Sequence, residues 1–325
     1  MTTETTGTNS IPRATGLIIV EVRDSNPNGD PERDGAPRKR RGDIGEISPV
    51  SVKRKIRDLV GNKQGPIWLY LKETLKITDD NRFDILEERG RDRGSIKNMI
   101  LEKNGTKFID SFWDARVFGN TFLEKAEEES GKTGADAAPA KEVSKAKTKD
   151  AITLKESVKT GVVHFGLGLS IAPVTSRTDF TMTNKSSVQK DKTSGMAPGA
   201  YKFVEHGIYA IPFFVNPTQA SKTGCSKTDV DIVLELIPYV YSHNRSLVRT
   251  QVEVLHAWYA KHNNQRGSCN DFDLVDALMP QKREAKDKPS VERSEYIIPN
   301  KKDNPDIFKQ FEDKVTIEDL MDRMR

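Results

Sequence analysis

Residues 16–22 read GLIIVEV, residues 24–49 read DSNPNGDPERDGAPRKRRGDIGEISP, and residues 50–60 read VSVKRKIRDLV. The first run is short, apolar and rich in β-branched residues, which predicts a buried strand. The second is dense in Asn, Pro, Gly and Asp, which predicts a long loop of the kind that is usually functional or disordered. The third predicts a helix with one apolar stripe, formed by Val52, Ile56, Leu59 and Val60. Ser48 is a suitable N-cap for this helix, and Pro49 suits its first position.

Further elements follow from the remaining apolar runs. Strands are predicted at 112–119 (FWDARVFG), 162–174 and 201–215. The segment 247–260 could be a strand or a helix, and its Val and aromatic content favours a strand. A helix is predicted at 229–243, which Pro238 should kink or end. Short helices are expected within 66–109 and another near 316–325. Without the insertions this order is close to the ferredoxin-like βαββαβ plan, an α+β fold that also underlies RNA-recognition modules.

The composition limits the classes of function. Among 325 residues, 52 Lys and Arg stand against 48 Asp and Glu, so a mildly basic chain permits a polyanionic partner without demanding one. With 31% charged residues, we expect one core that carries long polar excursions. Two cysteines, Cys225 and Cys269, cannot form a disulfide framework. No apolar run approaches a membrane span and the N-terminus lacks a signal peptide, so we expect a soluble cytoplasmic protein without membrane contact.

Motifs for catalysis are missing from the sequence. The five histidines and two cysteines show no zinc-like spacing, and there is no nucleotide-binding, HExxH or GxSxG signature. The sequence therefore predicts no enzyme activity, no cofactor and no metal. The long loop does contain acids that admit a metal-nuclease interpretation: Asp24, Asp30 and Asp34. Its flanking cations would repel a metal ion: Arg33, Arg38 and Lys39.

Several of these stretches together resemble a known family. The NPNGDPERDGAPR loop (26–38) followed by the VSVKRKIRDLV helix resembles the backbone subunit of type I CRISPR Cascade complexes, the Cas7 superfamily, with subtypes I-C and I-B as the nearest members. Further matches appear in order at 112–119, 161–174, 195–215 and 243–254. The resemblance covers roughly residues 16–262.

The resemblance implies a hand-like architecture. It places an RNA-recognition-like palm at 15–60 and 111–279, after a tail at 1–14 whose polar sequence itself predicts disorder. A helical fingers insertion is expected at 61–110, and a protruding thumb hairpin at 174–200. A flexible loop at 120–155 and a C-terminal extension at 280–325 complete the chain.

The resemblance also implies the partners. Copies of the chain would stack head to tail along a guide RNA, with the other Cascade subunits, and present the guide for pairing with target DNA. The protein would then contact the backbone of the RNA and leave sequence choice to base pairing.

Candidate RNA-binding residues follow the basic and turn-like stretches. Lys53 and Arg57 lie at i and i+4 on the predicted helix, where they could form a cationic ridge or only a solvated face. Gly29 could adopt a positive φ and bring the loop backbone close to RNA, or could serve a simple turn. Apolar residues on the polar hairpin could wedge beside a displaced base or pack against protein. The full set is Asn28, Gly29, Lys53, Arg54, Arg57, Arg116, Arg177, Phe180, Met182, Lys185, Met196, Arg245 and Arg249.

Two other functions stay open at this level. One is a backbone subunit of the same superfamily that cleaves target RNA with a metal ion. The other is a ferredoxin-like protein unrelated to CRISPR, whose basic residues only cover its surface. For Arg116, the alternation in FWDARVFG also allows a buried pair with Asp114 within a core-facing strand.

Overall fold

A computed structural model describes residues 10–88, 90, 92–101, 106–120, 159–184 and 196–324. Its largest feature is an antiparallel sheet whose main strands are β1 (Ala14–Ser25), β4 (Ile44–Ile47), β8 (Gly168–Pro173), β9 (Ser176–Asn184), β10 (Met196–Val215), β11 (Val252–His262) and β14 (Val315–Asp319). Shorter strands are β2 (Gly29–Asp30), β3 (Ala36–Pro37), β5 (Gly119–Asn120), β6 (Lys159–Thr160), β7 (Val163–Phe165), β12 (Gln281–Lys282) and β13 (Tyr296–Ile297).

The helices are short, apart from the first. They are α1 (Pro49–Gly61), α2 (Pro66–Thr74), α3 (Arg93–Leu101), α4 (Thr106–Ser111), α5 (Trp113–Phe118), α6 (Ala220–Thr223), α7 (Lys227–Leu236), α8 (Asp271–Leu278) and α9 (Pro305–Lys309). In the part of the chain that the structure describes, no helix combines the length and the apolar character that crossing a bilayer requires.

The central strand β1 is paired on both sides. β10 and β11 run antiparallel to it, and the order across the sheet is β14, β11, β1, β10, β8, β4. Successive residues of a strand point to opposite faces. Since Leu17, Ile18, Ile19 and Val20 are all buried, the sheet is covered on both faces along β1.

The chain divides into two compact units. The first comprises Met1–Ile11, Val60–His164 and Asn216–Val233. It contains the short helices α2 to α6, and one of its cores gathers Ile96, Ile100, Phe108, Phe112 and Ala115. Small helices of this kind depend on such packing, because isolated helices of their length are marginal in water.

The second unit comprises Pro12–Leu59, Phe165–Val215 and Leu234–Arg325 and contains the sheet. Its main core joins β1 and β10 to α8 and to the C-terminal segment, through Leu17, Ile19, Ile208, Trp258, Val275, Leu278 and Tyr296. The C-terminal segment therefore belongs to the core of this unit, where it packs on the sheet.

Most of the predicted elements are confirmed. The predicted strands at 16–22, 201–215 and 247–260 are β1, part of β10 and β11. The predicted helix after Ser48 is α1, and the Ser48 hydroxyl accepts a hydrogen bond from the Ser51 amide at 3.2 Å. The helix predicted at 229–243 ends at Leu236, and a 3-10 turn carries Pro238. Short helices occur within 66–109, and 162–174 forms two strands, β7 and β8.

Two predicted elements are wrong. FWDARVFG is not a strand, because Trp113–Phe118 forms α5 with all six residues buried, a pattern in which neither helical nor strand periodicity can show. The predicted helix near 316–325 begins as strand β14, because this segment pairs with β11, and only Leu320–Met324 forms a 3-10 helix. The long loop also contains an unpredicted strand, β4, which pairs with β8.

The predicted tail at 1–14 and the flexible loop at 120–155 fall largely outside the described residues. The structure describes β1 from Ala14 onward and Asn120 within β5. Residues 111–120 and 216–233, which the sequence assigns to a palm, belong to the same compact unit as the helices of 61–110. The division into palm and fingers stays a prediction.

Candidate nucleic-acid interface

The NPNGD loop is held by its own hydrogen bonds. The Asn28 side-chain oxygen accepts from the Ser48 amide at 2.7 Å, and the Asn28 carbonyl accepts from the Arg38 amide at 3.0 Å. Asn28 is buried, so its side chain fastens the loop to the start of α1 and does not project to solvent. A buried amide with satisfied partners is a structural element of the loop.

Gly29 has a different role from the predicted one. The left-handed φ values of this loop belong to Asp24, Asp34, Gly35, Gly42 and Asp43, and Gly29 lies in strand β2. A Cβ at Gly29 would approach the Gly35 carbonyl oxygen to 3.0 Å. The glycine is therefore required for close approach within the loop, and the prediction of a positive φ at this position is wrong.

The second half of the loop carries a cluster of cations. Arg38 and Arg40 both contact Glu46, at 3.4 and 2.7 Å, so two guanidinium groups share one carboxylate. Arg33 and Arg41 are exposed. Sequence reasoning treated Arg33, Arg38 and Lys39 only as a barrier to metal binding and gave Arg40 and Arg41 no role, although the RKRR run itself was a sufficient signal of a basic surface.

Acidic groups of the same loop lie next to cations. Asp30 is 3.9 Å from Arg38 and 4.0 Å from Arg33, and Asp34 is 3.9 Å from Lys202. Among the described residues, no three His, Cys, Asp or Glu side chains are grouped to hold a metal ion. The arrangement presents cations and leaves the carboxylates partly neutralised.

Helix α1 buries two of its four basic residues. Arg54 is exposed and contacts Asp58 at 2.8 Å, and Lys53 is half-buried. Arg57 is 4% exposed and Lys55 is 5% exposed. The predicted solvent-facing ridge of Lys53 and Arg57 is therefore wrong at Arg57, because this face of the helix lies inside the protein.

The segment that follows the 3-10 turn covers Lys55. Asn244 donates to the Lys55 carbonyl at 3.2 Å, and the Lys55 ammonium lies 5.2 Å from the centre of the Tyr241 ring. Asn244 lies 189 positions after Lys55, so a distant part of the chain buries a basic side chain that a helical wheel would leave exposed.

The loop at 244–251 brings Arg245 and Arg249 to the same place. The Val248 carbonyl accepts from the Asn26 amide at 2.6 Å, and the Ser25 hydroxyl accepts from the Gln251 amide at 2.9 Å. Arg245 contacts Glu253 at 3.4 Å. The Arg249 Nε is buried and has no hydrogen-bond partner in the part of the chain that the structure describes.

The predicted thumb begins as a hairpin. β9 and β10 pair in antiparallel register from Ser176↔Val204 to Asn184↔Met196. Arg177 contacts Asp24 at 2.8 Å and Asp179 at 3.2 Å, which joins the hairpin base to the long loop. Phe180 is 80% exposed. Lys185 lies outside the described residues, and Met182 lies opposite Pro198 in the paired strands.

Arg116 does not belong to this surface. Its guanidinium contacts the Asp229 carboxylate at 2.8 and 3.1 Å, and it also donates to three backbone carbonyl oxygens of the first unit. Its guanidinium is buried and all its donors are engaged inside the first unit, so it has none left for RNA, and the prediction of Arg116 as an RNA-binding residue is wrong. The alternative of a buried pair with Asp114 names the wrong acid, since the Asp114 carboxylate accepts from the Leu86 and Glu87 amides.

One part of the second unit therefore gathers most of the candidates. The long loop, α1, the 244–251 loop and the base of the β9–β10 hairpin are joined by direct contacts, and all four carry Lys or Arg. We call this the basic surface. It consists of Arg33, Arg38, Lys39, Arg40, Arg41, Lys53, Arg54, Arg177, Lys202, Arg245 and Arg249. A surface of this kind attracts phosphate groups.

Comparison with known proteins gives one family and several solved complexes. The family model described as CRISPR-associated protein Cas7 matches residues 12–300. No curated protein sequence matches the chain.

Among solved structures, a chain of a "CRISPR RNA-guided surveillance complex, pre-nicking" is 16% identical, with 78% of this chain and 79% of that chain covered at a TM-score of 0.39. A chain of a "CRISPR RNA-guided surveillance complex" is 16% identical, with 77% and 70% covered at 0.36. A chain of a "Type III-B Cmr-beta bound to cognate target RNA" is 10% identical, with 77% and 61% covered at 0.35.

Proposed function

Because this chain belongs to the CRISPR-associated Cas7 family, we propose that it binds a guide RNA as the repeated backbone subunit of a type I interference complex. Copies would assemble head to tail along the guide, together with the other Cascade subunits. The bound guide would then be presented to target DNA for pairing. The protein needs no enzyme activity for this role, since base pairing selects the target.

The observation that supports the proposal is the basic surface. Three regions far apart in sequence converge there: the long loop with α1, the base of the β9–β10 hairpin, and the 244–251 loop. Arg249 is held among them, and its buried Nε has no hydrogen-bond partner in the described residues. An unsatisfied buried donor costs about 1–3 kcal/mol, so a chain that retains one is suited to a ligand that satisfies it. A phosphate oxygen is such a ligand.

We also propose that the sheet is a ferredoxin-like palm. Four of its strands, β11, β1, β10 and β8, are adjacent in that order, and each neighbouring pair is antiparallel. In chain order these are strands 4, 1, 3 and 2 of a βαββαβ plan, with α1 after the first strand and α7 before the last. On this assignment the β9–β10 hairpin is the thumb and 61–110 the fingers.

The salt dependence of RNA binding tests the function. If about four phosphates are neutralised, the log–log slope of affinity against salt for single-stranded RNA should be near −3, at roughly −0.7 per contact. Affinity should differ little between unrelated RNAs of equal length. A flat salt response, or strong discrimination between such RNAs, would contradict the proposal.

A matched pair of charge reversals locates the surface. Arg41→Glu changes an exposed residue of the basic surface and should weaken RNA binding. It should also make the log–log slope of affinity against salt less negative, by the equivalent of about 1–2 phosphate contacts. Lys261→Glu makes the same change at the opposite end of β1, where Lys261 pairs with Ala14. It should leave binding nearly unchanged. Equal effects of the two variants would show that only net charge matters.

A further inference from the structure

The Lys55 side chain ends inside the second unit. Its ammonium donates to the Ser51 hydroxyl at 2.7 Å and to the Ser51 carbonyl at 3.2 Å, and it lies near the Tyr241 ring. The acid nearest to it on the same helix, Asp58, is engaged by Arg54 at 2.8 Å. Lys55 is therefore a buried cation whose direct partners are all neutral, an arrangement that disfavours its charge.

Arg249 adds a second cation at the same place. Its positive charge acts to lower the pKa of both Lys55 and Tyr241. The Arg249 Nε and the Tyr241 hydroxyl are both buried without hydrogen-bond partners among the described residues. Arg249 is half-buried, so the rest of its side chain reaches the surface. The three groups form a cluster of hydrogen-bond donors, and within the described residues no carboxylate contacts them directly. Such a cluster is complementary to an oxyanion.

We propose that Lys55 and Arg249 hold one phosphate group of bound RNA between them, and that this phosphate binds together with one proton taken up by Lys55. The inference rests on the proposed function and adds a regulatory property to the same surface. The phosphate supplies the negative charge that the cluster lacks, and RNA binding becomes dependent on pH.

The direction of the pH dependence follows from the state of Lys55 in the RNA-free protein. Burial, and then the nearby Arg249, lower the pKa of Lys55 to about 7, against an opposing effect of Asp58. A phosphate beside the ammonium restores the charged form and raises this pKa again. Between the two pKa values, affinity falls as pH rises, by up to about tenfold per pH unit. Burial raises the pKa of Tyr241, so its phenol stays neutral in this window.

Two measurements on the full chain test the inference. The affinity for a fluorescent single-stranded RNA, whose bases do not titrate in the window, is measured from about pH 6.5 to about pH 9 at fixed ionic strength. Calorimetry at about pH 8 in two buffers of different ionisation enthalpy then counts the protons taken up. We expect a steady loss of affinity with rising pH and an uptake of close to one proton.

Variants assign the proton to Lys55. Lys55→Arg, which stays charged, should keep the affinity and lose the pH dependence. Lys55→Met should lose the pH dependence and weaken binding about tenfold at low pH, and Arg249→Gln should weaken binding at all pH values. The matched control is Lys63→Met, because burial also lowers the pKa of Lys63 to about 8, and its ammonium donates to the Phe83 carbonyl in the first unit. This control should keep the wild-type pH dependence.

The outcomes separate this inference from the function. Tight, salt-sensitive RNA binding with no proton uptake would overturn the role of Lys55 and leave the proposed function standing. Loss of the pH dependence in Lys63→Met as well would assign the proton elsewhere and would also overturn it. If the wild-type chain fails to bind RNA at low salt, the proposed function itself is wrong. If one Lys55 variant does not fold, the other and the proton count decide the question.

Discussion

Arg116 in the first unit and Arg249 in the second are two basic residues in opposite situations. Arg116 is buried against Asp229, and its remaining donors meet backbone carbonyl oxygens. Arg249 is half-buried beside another cation, Lys55, and its Nε has no partner in the described chain. The donors of the first arginine are satisfied within the protein, whereas the second needs an anion to satisfy its Nε.

The difference shows how to separate structural from functional cations. Burial alone does not distinguish them, because Lys55 and Arg116 are both almost fully buried. What distinguishes them is the presence of a carboxylate in direct contact, as a buried charge is tolerated when it is paired. A buried cation that lacks this contact marks a place where an anionic ligand can bind.

The largest effect is expected when the pair of Arg116 and Asp229 is broken. Arg116→Met leaves the Asp229 carboxylate buried without its cation, and we expect a loss of about 3–5 kcal/mol in the free energy of unfolding of the first unit. Denaturant unfolding followed by tryptophan fluorescence measures it, since Trp113 donates to the Asp229 carbonyl. Adding Asp229→Asn should recover part of the loss. A loss below about 1 kcal/mol would remove the distinction between the two arginines.

A smaller effect is expected at the incomplete site. Arg249→Met removes a guanidinium whose Nε has no partner in the part of the chain that the structure describes, so the free energy of unfolding should change by less than about 1 kcal/mol. RNA binding should weaken by about 1.5–3 kcal/mol, the usual range for a hydrogen bond to a charged group. Anisotropy titrations and denaturant curves on the same preparation give both values. Strong destabilisation with unchanged affinity would make Arg249 a structural residue like Arg116.

The pH dependence of stability sharpens the comparison further. The folded pKa of Lys55 is about 7 and its ordinary value is 10.5, so the unfolded chain holds more protons between these values. The free energy of unfolding should therefore rise with pH in this window, by about 1–2 kcal/mol between about pH 7 and about pH 9. Lys55→Met should flatten the rise. An unchanged slope in this variant would mean that Lys55 is already charged in the RNA-free protein.

The smallest effect is expected at the exposed pair on α1. Arg54 and Asp58 are both exposed, and a solvent-screened pair of this kind contributes about 0–1 kcal/mol. A double-mutant cycle with Arg54→Ala and Asp58→Ala measures their coupling. A coupling as large as that of Arg116 with Asp229 would show that burial does not decide the strength of these pairs.

The strands and helices with clear periodicity could be predicted from the sequence. β1, α1 and β11 stand out because one face or both are continuously apolar. The helix α5 could not be predicted, since its six residues are all buried and its pattern fits a strand equally well. Strand β4 has only two apolar residues, Ile44 and Ile47, and exists because it pairs with β8.

The candidate site could be predicted in composition and only partly in geometry. The basic loop, α1 and Arg249 follow from the resemblance and from residue type. The burial of Lys55 could not follow, because Tyr241 and Asn244 contact it from a distant part of the chain. The burial of Arg116 depends in the same way on Asp229, because no local sequence pattern connects these two residues.

The pairing of Arg116 with Asp229 also has a consequence for synthesis on the ribosome. The two residues are 113 positions apart, and the strands of the second unit from β8 to β10 are encoded between them. At about 5–20 residues per second, Asp229 is added roughly 6–23 s after Arg116. During this interval Arg116 of the nascent first unit lacks its carboxylate partner, while the strands from β8 to β10 are being synthesised. We expect this interval to be the time when the growing chain most needs a chaperone.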